Sequence, residues 1–284
     1  MLPKGFDGLV KLAMKERPPK AQSIEALWDA FLDVLFMGGR RSEGDIRLLV
    51  NMLRGRKLLD LQLLLKTPGE DWREAVEALV NERLQRIQDE ETRAMLRSFK
   101  AEIFRITASV KGSARFFRSL PPAVFEQLDD KEQTQQFIES LVSNEDVPNV
   151  RYTKVILWLH AIGYAEDFCP PSWQVKKFVN EVGPYYQFYE DDKYFMEKAQ
   201  DAAADVRKRV KGATARDVSV AIYCYMTLKT ALPPRSASKK KCTPAAVVAF
   251  LRKRKLSIKI LSEQLADEEQ RDALLGDFVK HVMK

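Results

Sequence analysis

Histidine is nearly missing from this chain. His160 and His281 are the only two among 284 residues, which leaves no ligand set for a histidine-based metal centre and argues against a Ser-His-Asp triad. Cysteine is scarce as well. Cys169, Cys224 and Cys242 are widely spaced and odd in number, a pattern that makes neither a zinc motif nor a disulfide framework and favours a reducing compartment. Three thiols are also too few for a four-cysteine iron–sulfur cluster. No cofactor and no metal are therefore expected. No apolar run is long enough to span a bilayer, and the opening MLPKGFDGLVKLAMKERPP has no signal-peptide pattern. No membrane partner is expected, and the location expected is intracellular, in cytoplasm, nucleoid or nucleus.

One long stretch lacks acid. From Val218 to Ser262 there is no Asp or Glu, while ten basic residues occur: Lys229, Arg235, Lys239, Lys240, Lys241, Arg252, Lys253, Arg254, Lys255 and Lys259. The net charge is +7, so this segment carries the whole excess and the remainder is close to neutral. Such a block suits a polyanion, nucleic acid first and an anionic membrane surface second. The plainer alternative is a solvated linker and helix face kept soluble by lysines.

What is present is helix. The 45% hydrophobic and 31% charged fractions belong to a globular protein with enough chain for one large domain or two small ones. Ile24 to Phe36 repeats apolar residues at three- and four-residue steps, and Ser42 is placed to cap a helix with Ile46, Leu49, Val50 and Leu53 on one face. Further helices are expected over 71–86, 91–110, 131–142, 173–182, 194–210 and 215–231, with 113–120 continuing weakly. Period-2 alternation is not sustained anywhere, and no internal repeat is visible, so the expected class is all-α. Residues 233–242, with Pro233-Pro234 and Lys239-Lys240-Lys241, form the clearest linker. Thr243-Pro244 and Asp267 with Gln270 are capping signals in a small helical appendage over 243–284.

Val147 to Lys177 reads VPNVRYTKVILWLHAIGYAEDFCPPSWQVKK. A helix ends near Val142, a tight Pro148-Asn149-Val150-Arg151 turn follows, a second helix starts near Thr153, and another begins near Ser172 after Pro170-Pro171. This layout resembles the helix-hairpin-helix DNA glycosylase superfamily, the group of endonuclease III and the alkyladenine and 8-oxoguanine glycosylases. The resemblance covers roughly residues 22–232. It implies a two-lobed helical bundle with a helix-hairpin-helix in a core over 1–232, a double-stranded DNA partner and base-excision chemistry, the hydrolysis of an N-glycosidic bond to a damaged or modified base. No protein partner is identified.

The chain departs from the family pattern at the positions that matter. Where the family hairpin has two glycines, Asn149 and Arg151 stand. Asn tolerates the left-handed backbone better than most residues, and Arg151 obstructs close backbone approach yet offers a guanidinium to the same phosphate. The family's nucleophilic lysine falls on Thr153, with Lys154 one residue later and about 100° around the helix. Its catalytic aspartate falls on Ser172, which supplies no negative charge, a loss of several kcal/mol of transition-state stabilisation. Glu166 and Asp167, in the preceding loop, are the acids within reach as substitutes, and Ser172 also reads as an ordinary helix N-cap. Trp173, Tyr185 and Tyr186 either line a base pocket or pack beneath a loop. Arg40 and Arg41 follow Gly38-Gly39 on a loop that either enters a minor groove or makes a charged turn. His160, among Trp158, Leu159 and Ile162, reads as a core residue. The candidate set is thus Lys154, Glu166, Asp167 and Ser172 for chemistry, and Asn149, Arg151, Thr153, Arg40, Arg41, Lys239 to Lys241, Arg252, Lys253 and Arg254 for DNA. A non-catalytic nucleic-acid-binding or protein-interaction adaptor is the competing expectation.

Overall fold

The computed structural model describes residues 2–37, 43–148, 150–182, 191–234, 236–266 and 268–283. In chain order the helices are α1 (Phe6–Ala13), running into a 3-10 turn at Met14–Glu16, α2 (Ile24–Leu35), α3 (Glu43–Gly55), α4 (Leu61–Lys66), α5 (Gly69–Arg86), α6 (Glu90–Ala101), α7 (Ile103–Ser119), α8 (Val124–Gln127) and α9 (Lys131–Val142). They continue as α10 (Tyr152–Ala161), α11 (Trp173–Val182), α12 (Asp192–Arg207), α13 (Ala215–Ala231), α14 (Ala237–Lys241), α15 (Pro244–Arg254), α16 (Ile258–Ala266) and α17 (Glu268–Met283). The fold is all-α, with no strand among the described residues, and no described helix is long and apolar enough to cross a membrane.

The chain divides into two compact units: Lys20–Ile162, and Met1–Pro19 together with Gly163–Lys284. The first holds α2 to α10. Its centre is an aromatic cluster in which Phe31 lies 5.0 Å from Phe117 and 5.1 Å from Trp158, ring centre to ring centre. The buried indoles keep their N–H groups satisfied: Trp28 donates to the Leu59 carbonyl at 2.8 Å and Trp158 to that of Leu27 at 2.9 Å. Helix α2 starts where Ser23 accepts from the Ala26 N–H, and its Leu27, Trp28, Phe31 and Leu35 are buried as their spacing predicts. The helix expected over 91–110 is instead two, broken at Glu102, whose N–H returns to Phe99. Helix α7 then continues to Ser119, and its buried polar members are satisfied within the helix: Thr107 donates to Ile103 at 2.7 Å and Ser113 to Ser109 at 2.6 Å.

The second unit joins residues 2–19 to the helices after Gly163. Phe6, Leu9, Val10 and Ala13 of α1 are fully buried against the same core as Phe178, Phe195, Val218, Ile222, Val247 and Phe250. Residues 243–284, expected as an appendage, contribute Val247, Phe250, Leu251, Leu261 and Phe278 to that core. The 233–242 segment, expected as a linker, carries the short α14 and buries Ser238 and Cys242. The Thr243 cap forms as expected, accepting from the Ala246 N–H at 3.2 Å with Pro244 in the first turn. Asp267 and Ser42, expected as caps, lie outside the described residues. A buried ion pair completes the unit. Arg17 grips both carboxylate oxygens of Asp217, whose side chain is fully buried and which also closes a capping box with Thr214. The Asp217 contact raises the Arg17 guanidinium's pKa, against burial.

Candidate nucleic-acid interface

In the Lys20–Ile162 unit, α9 and α10 pack against each other across the turn expected to form the hairpin, with α10 starting at Tyr152, one residue before the position expected. The turn is held by its own chain and by α7. The Asn144 side chain accepts from the Asp146 N–H at 2.9 Å and the Val147 N–H donates to the Asn144 carbonyl at 3.1 Å. From α7, the Ser109 hydroxyl lies 3.1 Å from the Pro148 carbonyl oxygen and equally close to that of Arg105 in its own helix, and its one hydrogen is shared between them. Gly112 makes the approach feasible, since a Cβ at that position would collide with the Asp146 carbonyl oxygen. Val147 and Val150 are buried beneath the turn. Arg151 caps α10 in an extended conformation (φ −125°, ψ 173°), and its side chain makes no cap hydrogen bond. The Arg151 side chain is exposed and makes no ion pair among the described residues. The turn thus presents the exposed Arg151 guanidinium beside the start of α10. Asn149, like Arg40 and Arg41, lies outside the described residues.

The residues nominated for chemistry are tied to neighbours. Lys154, half-buried on α10, points its amine to the Leu35 carbonyl at the end of α2, 3.4 Å away. Thr153 is also half-buried. In the other unit, Asp167 is bound by Arg207 at 2.6 Å and lends its carbonyl to Gln200 at 3.3 Å. Glu166 lies 3.9 Å from Arg17, and its carbonyl accepts from the Arg216 N–H at 3.0 Å. Ser172 caps α11, accepting from the Val175 N–H at 3.3 Å, while its carbonyl accepts from Lys176. Both acids sit opposite arginines, and Ser172 has the capping role its sequence position suggests.

The basic segment lies in the second unit. Lys240 and Lys241 on α14, and Arg252, Lys253 and Arg254 in the last turn of α15, are exposed, with Lys239 half-buried. Arg254 is paired with Asp277 of α17. Cations belong at a helix C-terminus, where each contributes about 0.3–1 kcal/mol against the macrodipole. Trp173 is 52% exposed, and Lys177 lies 5.0 Å above its ring. It stands at the surface and not in an enclosed pocket. Tyr185 and Tyr186 lie outside the described residues. His160 is buried, as its apolar neighbours suggest.

No family model, curated protein or solved structure matches this chain. The site therefore rests on its own chemistry. The sequence reading missed Gly112 and Ser109, the pair that fixes the hairpin. Their signal is a glycine and small hydroxyls inside an otherwise strong helix pattern, which marks a close approach more often than a weak helix. It also missed a concavity of about 200 Å³ in the Lys20–Ile162 unit, lined by Leu48, Asn51, Met52, Arg83, Ile87 and Leu96. That lining includes none of the nominated residues and no acid.

Proposed function

We propose that the chain is a duplex-DNA-binding protein of the helix-hairpin-helix glycosylase type, acting as a binding module without base excision. The observation that carries this reading is the α9–α10 hairpin. It is clamped by Ser109 and Gly112 of α7, and it exposes an unpaired Arg151 over an uncapped helix start. A rigid turn offering N–H groups and a guanidinium suits a phosphate oxygen, which positions a protein on DNA without reading sequence. The acid-free segment adds a salt-dependent attraction to any phosphodiester backbone. Binding is favoured over excision by the engagement of the chemical candidates. Ser172 caps a helix, Asp167 and Glu166 face arginines, and Lys154 is drawn to a backbone carbonyl. A transition state of oxocarbenium character calls for a carboxylate aimed at the sugar, and both acids are held by cations of their own chain.

The test is titration of a fluorescent duplex, undamaged or carrying an abasic-site analogue, across a salt series. Binding that weakens steeply with salt, without lesion preference, and is weakened further by Arg151→Ala supports the proposal. Preference for the lesion duplex, with base release from a damaged strand, would restore the excision reading. No binding at low salt would remove DNA from the account altogether.

A further inference from the structure

Helices α1 and α15 run side by side and in the same direction. A Cβ built on Gly5 would stand 2.6 Å from the Ala245 Cβ, and one on Gly8 would stand 3.2 Å from a Val248 methyl. Both contacts keep a step of 240 residues. The contact continues past the helix ends, with the step widened by two to three residues. Glu16 accepts at Oε1 from the Ile258 N–H at 2.7 Å and at Oε2 from the Lys259 N–H at 2.9 Å, joining the 3-10 turn to the start of α16. The 208–212 loop arrives at the same place, for Arg17 donates to the Gly212 carbonyl at 2.6 Å and the Met14 methyl lies against Gly212.

One end of this unit therefore gathers cations that are far apart in sequence. Lys15, Lys211, Arg252, Lys253, Lys255 and Lys259 are all exposed, and none makes an ion pair among the described residues. The acids whose contacts reach this end are engaged: Glu16 by two N–H groups, Asp217 by Arg17, Asp277 by Arg254, Asp7 by Arg209 and Asp205 by Lys208. Lys15 and Lys211 lie outside the acid-free stretch and are invisible to a reading of that stretch alone.

We infer that this end of the unit is a second, composite contact surface for the phosphate backbone of duplex DNA, assembled by the 3-10 turn, the 208–212 loop, the end of α15 and the start of α16. The inference rests on the DNA-binding reading and adds the residues of a contact separate from the hairpin. An anionic bilayer is a poorer match. Interfacial binding needs a free apolar helix face, and here Val247, Phe250 and Leu251 of α15 and Ile258, Leu261 and Leu265 of α16 are buried.

The experiment measures the slope of log K against log salt for the full chain on an undamaged duplex. Each lost phosphate contact lowers that slope by about 0.9. Lys15→Gln with Lys211→Gln is expected to lower it by about 2, and Lys253→Gln by about 1. A control with the same substitution at Lys4, Lys66 and Lys131 is expected to leave it unchanged, and circular dichroism checks that every variant is folded. An unchanged slope for the Lys15/Lys211 variant, with the parent chain binding normally, overturns the composite surface and leaves the hairpin reading standing. Failure of the parent chain to bind duplex, or binding only to phosphatidylcholine vesicles carrying phosphatidylserine, overturns both.

Discussion

Gly112 and Asp217 illustrate how much a single position controls here. At Gly112 the constraint is volume: α7 and the turn after α9 touch backbone to backbone, and an added methyl has nowhere to go. Gly112→Ala is expected to destabilise the Lys20–Ile162 unit by about 3 kcal/mol, the upper part of the overpacking range. It should also weaken DNA binding by displacing Arg151. Urea unfolding together with the duplex titration tests this, and a variant with parental stability would show that the turn yields freely. At Asp217 the constraint is charge. Its carboxylate is buried under Arg17 and the Thr214 cap. Asp217→Ala should cost toward the lower end of about 3–5 kcal/mol, since Arg17 remains partly solvated. A loss below 1 kcal/mol in urea unfolding would contradict the assignment.

Helix α1 shows what an element contributes beyond its length. Its eight residues bury Phe6, Leu9, Val10 and Ala13 and hold α13 and α15 in place. Each large apolar side chain is worth about 1.5–3 kcal/mol, so removing residues 2–17 deletes a sum comparable to a typical domain's net stability of about 5–15 kcal/mol. The truncated chain is expected to lose cooperative unfolding of the second unit. Persistence of a parental thermal transition would refute this. At this scale the sequence was legible where periodicity and caps coincide. Helices α2, α9, α11 and α13 fall within a residue of expectation, because each combines an amphipathic repeat with a cap or breaker. The break at Glu102 has no Gly or Pro to mark it and was not foreseen. The role of α1 was equally hidden, since its partners, from Phe178 to Val248, lie far away in the chain. Of the candidate site, the turn between α9 and α10 and the Ser172 cap were readable from local pattern. The arginines facing Glu166 and Asp167 were not, because Arg17 and Arg207 reach them only through the tertiary fold.

Across the whole molecule, acid–base behaviour at high pH follows from its buried thiols. Cys169 and Cys242 are pushed up to about 12, Cys224 higher still, chiefly by burial. A raised folded-state value means the native protein stays protonated while the unfolded chain ionises from about 9 upward. The associated stability is present below pH 9 and is lost as pH rises toward 12. The midpoint of urea unfolding should therefore hold steady up to about pH 9 and fall above it. Native protein at pH 8 should resist thiol-specific labelling, with all three cysteines reacting in denaturant; rapid native labelling would contradict their burial. The division of the chain carries another consequence, for synthesis on the ribosome. Gly5 meets Ala245 only after 240 residues of intervening chain, and at about 5–20 residues per second that interval lasts on the order of 10–50 s. Residues 20–162 emerge as a complete unit within it. Until α11 and α13 follow it, the apolar face of α1 lacks these partners, so the early nascent polypeptide presents a site suited to holding chaperones that full-length protein conceals.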